Sequence, residues 1–216
     1  KKMSKTPMAF EIDGRIIGNQ TSPYVIAELS ANHNGSLDHA KAIVKMAKNA
    51  GANAVKLQTY TPDTLTIDSD SPDFQLTDGL WKGRSLYELY EWAHTPWSWH
   101  KDLFELARLE GITMFSSPFD VSAVDFLEDL NCPAYKIASF EAVDLELIKY
   151  ASSTKKPIII STGMSNLEEI QEALGAAYSG GASQVALLHC VSGYPAPPED
   201  YNLNTILDMR KQFSVP

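Results

Sequence analysis

The chain has 216 residues, of which 44% are hydrophobic and 21% charged, and its formal net charge is −9. That length allows one large domain with a sizeable core, while no apolar run approaches the ~20 residues of a membrane helix and the acidic balance argues against a general nucleic-acid surface. Two cysteines, Cys132 and Cys190, are too few for a disulfide framework and read as free thiols in a reducing, cytoplasmic compartment.

The first nine residues lack the apolar core of a signal peptide and read as a disordered or cloning-derived N-terminus. "FEIDGRIIG" follows and predicts a β-hairpin turning at Asp13-Gly14. From there one pattern repeats: a short apolar strand ends in polar residues, and an amphipathic helix begins. The predicted strands are 24–29, 54–57, 112–115, 134–137, 158–160 and 185–188. The predicted helices are 38–50, 96–110, 121–130, 145–152, 167–177 and 203–212, separated by breakers such as "NAGANA", "LEGI", "NCPA" and "SGGAS".

Near-continuously apolar strands alternating with helices predict a parallel sheet covered by helices. No G-x-G-x-x-G follows the first strand, and every strand ends in functional groups. Both features favour a (β/α)8 TIM barrel, whose active site lies at the C-terminal strand ends, over a doubly wound sheet. The hairpin would plug the bottom of such a barrel. Only about six βα units are found, so residues 10–216 read as an incomplete barrel, a piece of a longer protein. The one long connection, from Thr59 to about Ser85, is long enough to be functional or disordered.

The strand ends hold the candidate chemistry. Lys56 and Gln58 are two apart and share a face of their strand. An ammonium inside a barrel is costly unless an anion or carboxylate meets it, so Lys56 and Lys136 read as buried anion ligands, with a structural pair to Glu28 as the bland alternative for Lys56. Ser117, Ser139, Ser161, Thr162 and Ser192 each read singly as caps or turn residues; around one mouth with two lysines they form an anion site, most simply for phosphate. Glu28 reads as a general base or a holder of water. His33 and His189 have no metal-ligand spacing and read as loop or packing residues. Trp81, Tyr87, Tyr90, Trp92, Trp97 and Trp99 read as helix core or an aromatic lid over a sugar. A Schiff-base aldolase using Lys56 or Lys136 as nucleophile, and a non-catalytic fragment, are the competing readings.

"IAELSANHNG", "VKLQTYTPDTLT", "DGLWKGRSLYELYEWAHTPWSWH", "FSSPFD", "YKIASFE", "ISTGM" and "LLHC…YP" together resemble the nonulosonate (sialic-acid-type) synthases, from about Phe10 to the end. Two of these stretches favour the pseudaminic branch, with sialic and legionaminic acid synthesis as the alternative. The resemblance implies a (β/α)8 barrel followed by an antifreeze-like domain. It also implies condensation of phosphoenolpyruvate with an acylamino sugar, here 2,4-diacetamido-2,4,6-trideoxy-altrose, with release of phosphate, for surface glycan or flagellin glycosylation. Carried over residue by residue, it makes Glu28 the catalytic carboxylate. Lys56, Ser117, Lys136, Ser139, Ser161 and Ser192 become phosphoenolpyruvate ligands, and Gln58, Asn34 and Tyr194 sugar contacts. The divalent metal it implies, Mn²⁺ or Mg²⁺, would be held by histidines of the seventh and eighth units, beyond residue 216. The isolated chain is therefore expected to be inactive, and the full-length protein a homodimer that binds neither nucleic acid nor membrane.

Overall fold

The computed structural model describes residues 10–18, 20–193 and 195–216, and these divide into two compact units: residues up to 24 together with 132–216, and residues 25–131. In the first unit, β1 (Phe10–Ile12) and β2 (Arg15–Ile17) form the predicted antiparallel hairpin. Asp13 and Gly14 both take positive φ, 51° and 78°, as a tight two-residue turn of this hand requires.

The second unit is built on three parallel strands, β3 (Ile26–Glu28), β4 (Ala54–Thr59) and β5 (Thr113–Pro118). Helix α1 (Leu37–Asn49) follows β3, and the Ser36 side chain caps it by accepting from the His39 amide. Strand β3 is shorter than predicted. The Val25 amide donates to the Asn53 side chain, and its carbonyl accepts from the Asn53 and Ala54 amides, so the turn before β4 satisfies Val25 instead of a ladder. Strands β4 and β5 run further than predicted, because their pairing continues through Gln58–Ser117 and Thr59–Pro118.

The long connection after β4 is ordered. It contains α2 (Pro62–Leu65), a 3-10 turn at Pro72–Phe74 and α3 (Leu86–Ala93), the last opened by a Ser85/Glu88 capping box. Leu76 and the 83–85 segment hydrogen-bond across it, closing the loop between them. Helix α3 is anchored by the edge-on contact of Tyr90 with Tyr60, and Tyr60 meets Phe119 in the same way. Helices α4 (Trp97–Glu110) and α5 (Val121–Asp129) flank β5 and bury Leu103, Phe104, Ala107, Val124 and Leu127.

The first unit resumes with the parallel strands β6 (Tyr135–Ile137), β7 (Ile158–Ser161) and β8 (Val185–Leu188). Helices α6 (Leu145–Ser153), α7 (Leu167–Gly180) and α8 (Asn204–Phe213) follow them in turn. Ile137, Ile148, Ile158, Ile160 and Ala177 are fully buried in this unit. The Glu11 amide donates to the Gln184 side chain just before β8, so the hairpin is tied to the N-terminal end of that strand, opposite the end where function was expected. Six parallel strands, each followed by helix, match the predicted count, and among the described residues no helix is long and apolar enough to cross a membrane.

Candidate functional site

Parallel pairing puts register partners on the same face of a sheet. Glu28 pairs with Lys56, and Gln58 pairs with Ser117, so all four lie on one face at the C-terminal ends of β3, β4 and β5. The Lys56 ammonium donates to the Glu28 carboxylate at 2.9 Å and to the Ser117 hydroxyl at 3.3 Å. Its side chain is 4% exposed, while that of Glu28 is 51% exposed. A buried cation thus meets a carboxylate that reaches solvent. Lys56 is thus both paired with Glu28, as the bland alternative had it, and buried at the strand end, as the anion-ligand reading requires.

In the other unit, Lys136 pairs with Ile159, which places Lys136 on the face that also carries Ser161. Lys136 is half-buried, not buried as expected. The Gly163 amide donates to the Ser139 hydroxyl at 3.3 Å. Ser161 is fully buried, and its hydroxyl accepts from the Cys190 thiol at 3.2 Å. Ser192 is exposed. Thr162 does not join the donor set, since its hydroxyl is committed to the Leu188 carbonyl at 3.0 Å. Tyr194 lies outside the described residues.

Glu141, which sequence reasoning passed over, belongs with this group. It lies in a 3-10 turn (Phe140–Val143) directly after Ser139, and its Oε2 is buried with no hydrogen-bond partner. Burial raises its pKa above the ordinary carboxylate value; its own backbone amide and the Lys136 ammonium pull the other way. The signal available in sequence was position alone: a carboxylate two residues past a strand-end serine.

The loop after Glu28 is tightly wound. Ser30, Asn34 and Gly35 all have positive φ, and Asn34, the expected sugar contact, is exposed in this turn. His33 is 1% exposed, packs edge-on against Trp99 at 5.4 Å, and accepts the Gly35 amide at Nδ1. Burial lowers its pKa, with His94 and His39 adding to that and the Ala93 backbone opposing it. His189 donates to the Tyr201 carbonyl at 2.7 Å, the packing role expected of it. A second network, also missed, joins Thr59, His100 and Ser116 on the helix-facing side of β4 and β5.

Among the described residues no group of three or more His, Cys, Asp or Glu is placed to hold a metal ion. The described residues alone do not supply a ligand set for the divalent ion implied by the resemblance.

Residues 43–216 match the profile of the NeuB family. The chain is 48% identical over 193 residues to a pseudaminic acid synthase of Helicobacter pylori, covering 89% of this chain and 57% of that protein. It is 48% identical over 192 residues to the Campylobacter jejuni pseudaminic acid synthase, covering 89% and 56% respectively. The chain therefore spans a little over half the length of the curated relatives it matches. Among solved structures it resembles the N-acetylneuraminic acid synthetase of Leptospira borgpetersenii, crystallised with citrate. The TM-score is 0.84 at 26% identity, over 96% of this chain and 68% of that one. The expected fold class, βα units of a barrel preceded by a hairpin, agrees with that likeness.

Proposed function

Because the chain belongs to the NeuB family, we propose that it is part of a synthase that condenses phosphoenolpyruvate with 2,4-diacetamido-2,4,6-trideoxy-altrose, giving pseudaminic acid and inorganic phosphate. The observation that carries this reading is the buried Lys56 ammonium, held between the Glu28 carboxylate and the Ser117 hydroxyl at the C-terminal strand ends. The 48% identity to two pseudaminic acid synthases supports the choice of sugar.

Phosphoenolpyruvate brings a phosphate and a carboxylate, and charge-assisted hydrogen bonds from ammonium and hydroxyl donors suit both. Lys56 with Ser117 supplies one such donor set. In the other unit, Lys136, Ser139 and Ser161 form a separate group of the same donor types. In the reaction, C3 of the enol attacks the aldehyde carbon of the sugar, and the aldehyde oxygen takes up a proton. C2 is left cationic. Water adds there and loses a proton, and the bond from C2 to the bridging oxygen breaks as phosphate leaves. Glu28 would hold that water and accept its proton, a role supported by its solvent-reaching carboxylate beside the Lys56 ammonium. Glu141 is a half-buried carboxyl with one oxygen out of solvent, and burial raises its pKa. Most of the acceleration would come from holding the two reactants together.

The test is phosphate release by the full-length protein, offered phosphoenolpyruvate with the altrose derivative and, in parallel, with the sialic- and legionaminic-acid precursors. Release that depends on the altrose sugar is expected. Preference for another of the three would reassign the branch, and a lysine adduct trapped by borohydride would replace the mechanism with a Schiff-base aldolase.

A further inference from the structure

We infer that His33 is a positioning residue, a latch that holds the loop following Glu28 against α4. The loop from Leu29 to Ser36 is the only chain between the end of β3 and the cap of α1. It keeps its course through short-range bonds, from the Asn32 amide to Leu29, Asn34 to Ala31 and Ser36 to His33. Ser30 at φ 47° and Asn34 at φ 48° are left-handed, a conformation that costs energy and persists only where the surroundings impose it. The buried His33 ring lies between these two residues in the chain, takes the Gly35 amide at 3.0 Å and sets its edge on Trp99 of α4. One imidazole therefore joins the loop, at the Gly35 amide, to α4, at Trp99, and so ties the chain that follows Glu28 to that helix.

This role rests on the synthase reading through Glu28, and two measurements keep the two apart. In the full-length protein, His33→Phe keeps the ring contact with Trp99 but removes the acceptor for Gly35. His33→Asn puts an amide oxygen where Nδ1 stood. With phosphate release as the readout, His33→Phe is expected to lower kcat tenfold or more with the KM for phosphoenolpyruvate within threefold of the parent. His33→Asn is expected to recover kcat to within about threefold. Amide hydrogen exchange at residues 34–36 is expected to quicken at least tenfold in His33→Phe and to stay near the parent rate in His33→Asn. A parent that releases no phosphate overturns the synthase reading and leaves the exchange result to judge the latch. Unchanged exchange in His33→Phe overturns the latch, as does a His33→Phe kcat within twofold of the parent. If His33→Phe does not fold, His33→Asn is compared with His33→Gln, which fills the Nε2 position instead. Asn must then be at least fivefold faster and slower to exchange, and equality of the two overturns the latch.

Discussion

Glu28 and Lys56 are register partners on adjacent parallel strands, and their side chains meet at 2.9 Å with the ammonium buried and the carboxylate half exposed. The asymmetry matters. Burying a cation costs several kcal/mol unless it is matched, and here the matching charge lies on the solvent side, where an anionic ligand would also arrive. The pair is thus a poor device for stability and a reasonable one for binding an anion.

Lys56→Met in the full-length protein should separate those roles. Replacing a buried ionic group with an apolar one of similar volume is often neutral or stabilising, and the Glu28 left behind is solvated. Thermal melting is expected to be unchanged or higher. Loss of the charged contact should weaken kcat/KM for phosphoenolpyruvate by about 2–5 kcal/mol, roughly 30-fold to several thousand-fold. Steady-state kinetics with phosphoenolpyruvate varied checks this, and normal kinetics would remove Lys56 from the binding site.

Gly163 is expected to tolerate no side chain. A Cβ there would stand 2.7 Å from the Ser192 hydroxyl oxygen, 3.1 Å from the Cys190 Cβ and 3.1 Å from the Cys190 carbonyl. The backbone carbonyl cannot yield cheaply, and the Gly163 amide that donates to Ser139 would move with the strain. Gly163→Ala should cost about 1–3 kcal/mol in stability and raise the KM for phosphoenolpyruvate. Denaturant melts together with kinetics check both parts.

Glu141 should make the folded state less stable as pH rises. Its folded pKa lies above the ordinary value of 4.5, with burial as the largest cause. The folded protein therefore binds the extra proton within that window, and the stability associated with the neutral carboxyl is present below 4.5 and lost as pH climbs through the folded pKa. Glu141→Gln is expected to melt higher than the parent at neutral pH, with the two converging near pH 4. Parallel curves would show that the carboxyl is not held neutral.

His100 should have the opposite sign. Its ring is fully buried between Thr59, at 2.9 Å, and the Pro96 carbonyl, at 3.1 Å, and burial pushes its pKa down from 6.5 to about 4. The folded ring stays neutral while the unfolded chain takes up a proton below 6.5, so stability is full above 6.5 and falls as pH drops towards 4. The loss should reach roughly 3 kcal/mol. His100→Gln is expected to be less stable at neutral pH by about 1–3 kcal/mol through unpaired hydroxyls, with a flatter acid limb. Melting temperatures across pH 4–7.5 check the slope.

The sequence was informative where a rule has a fixed period. Alternation placed Lys56 and Gln58 on one face, and the structure keeps them there with Ser117. Asp13-Gly14 announced the hairpin, and the strands and main helices lie within a few residues of their predicted spans. Register is a different kind of information. That Glu28 faces Lys56 depends on how far two strands slide past each other, and neither strand alone encodes it. Burial was missed for the same reason. Lys136 and Lys56 look alike in sequence, yet one is half-buried and the other buried. Glu141 drew no attention in the sequence, and only the fold takes one of its carboxylate oxygens out of solvent. Thr59, His100 and Ser116 are separated along the chain and meet only once α4 lies against β4 and β5.

Phosphoenolpyruvate labelled with oxygen-18 in the bridging position tests the proposed condensation most directly. With the full-length protein and the altrose sugar, the bond from C2 to the bridging oxygen should break, and phosphorus NMR should find the label in the released phosphate. Label retained in the sugar acid, with unlabelled phosphate released, would contradict it.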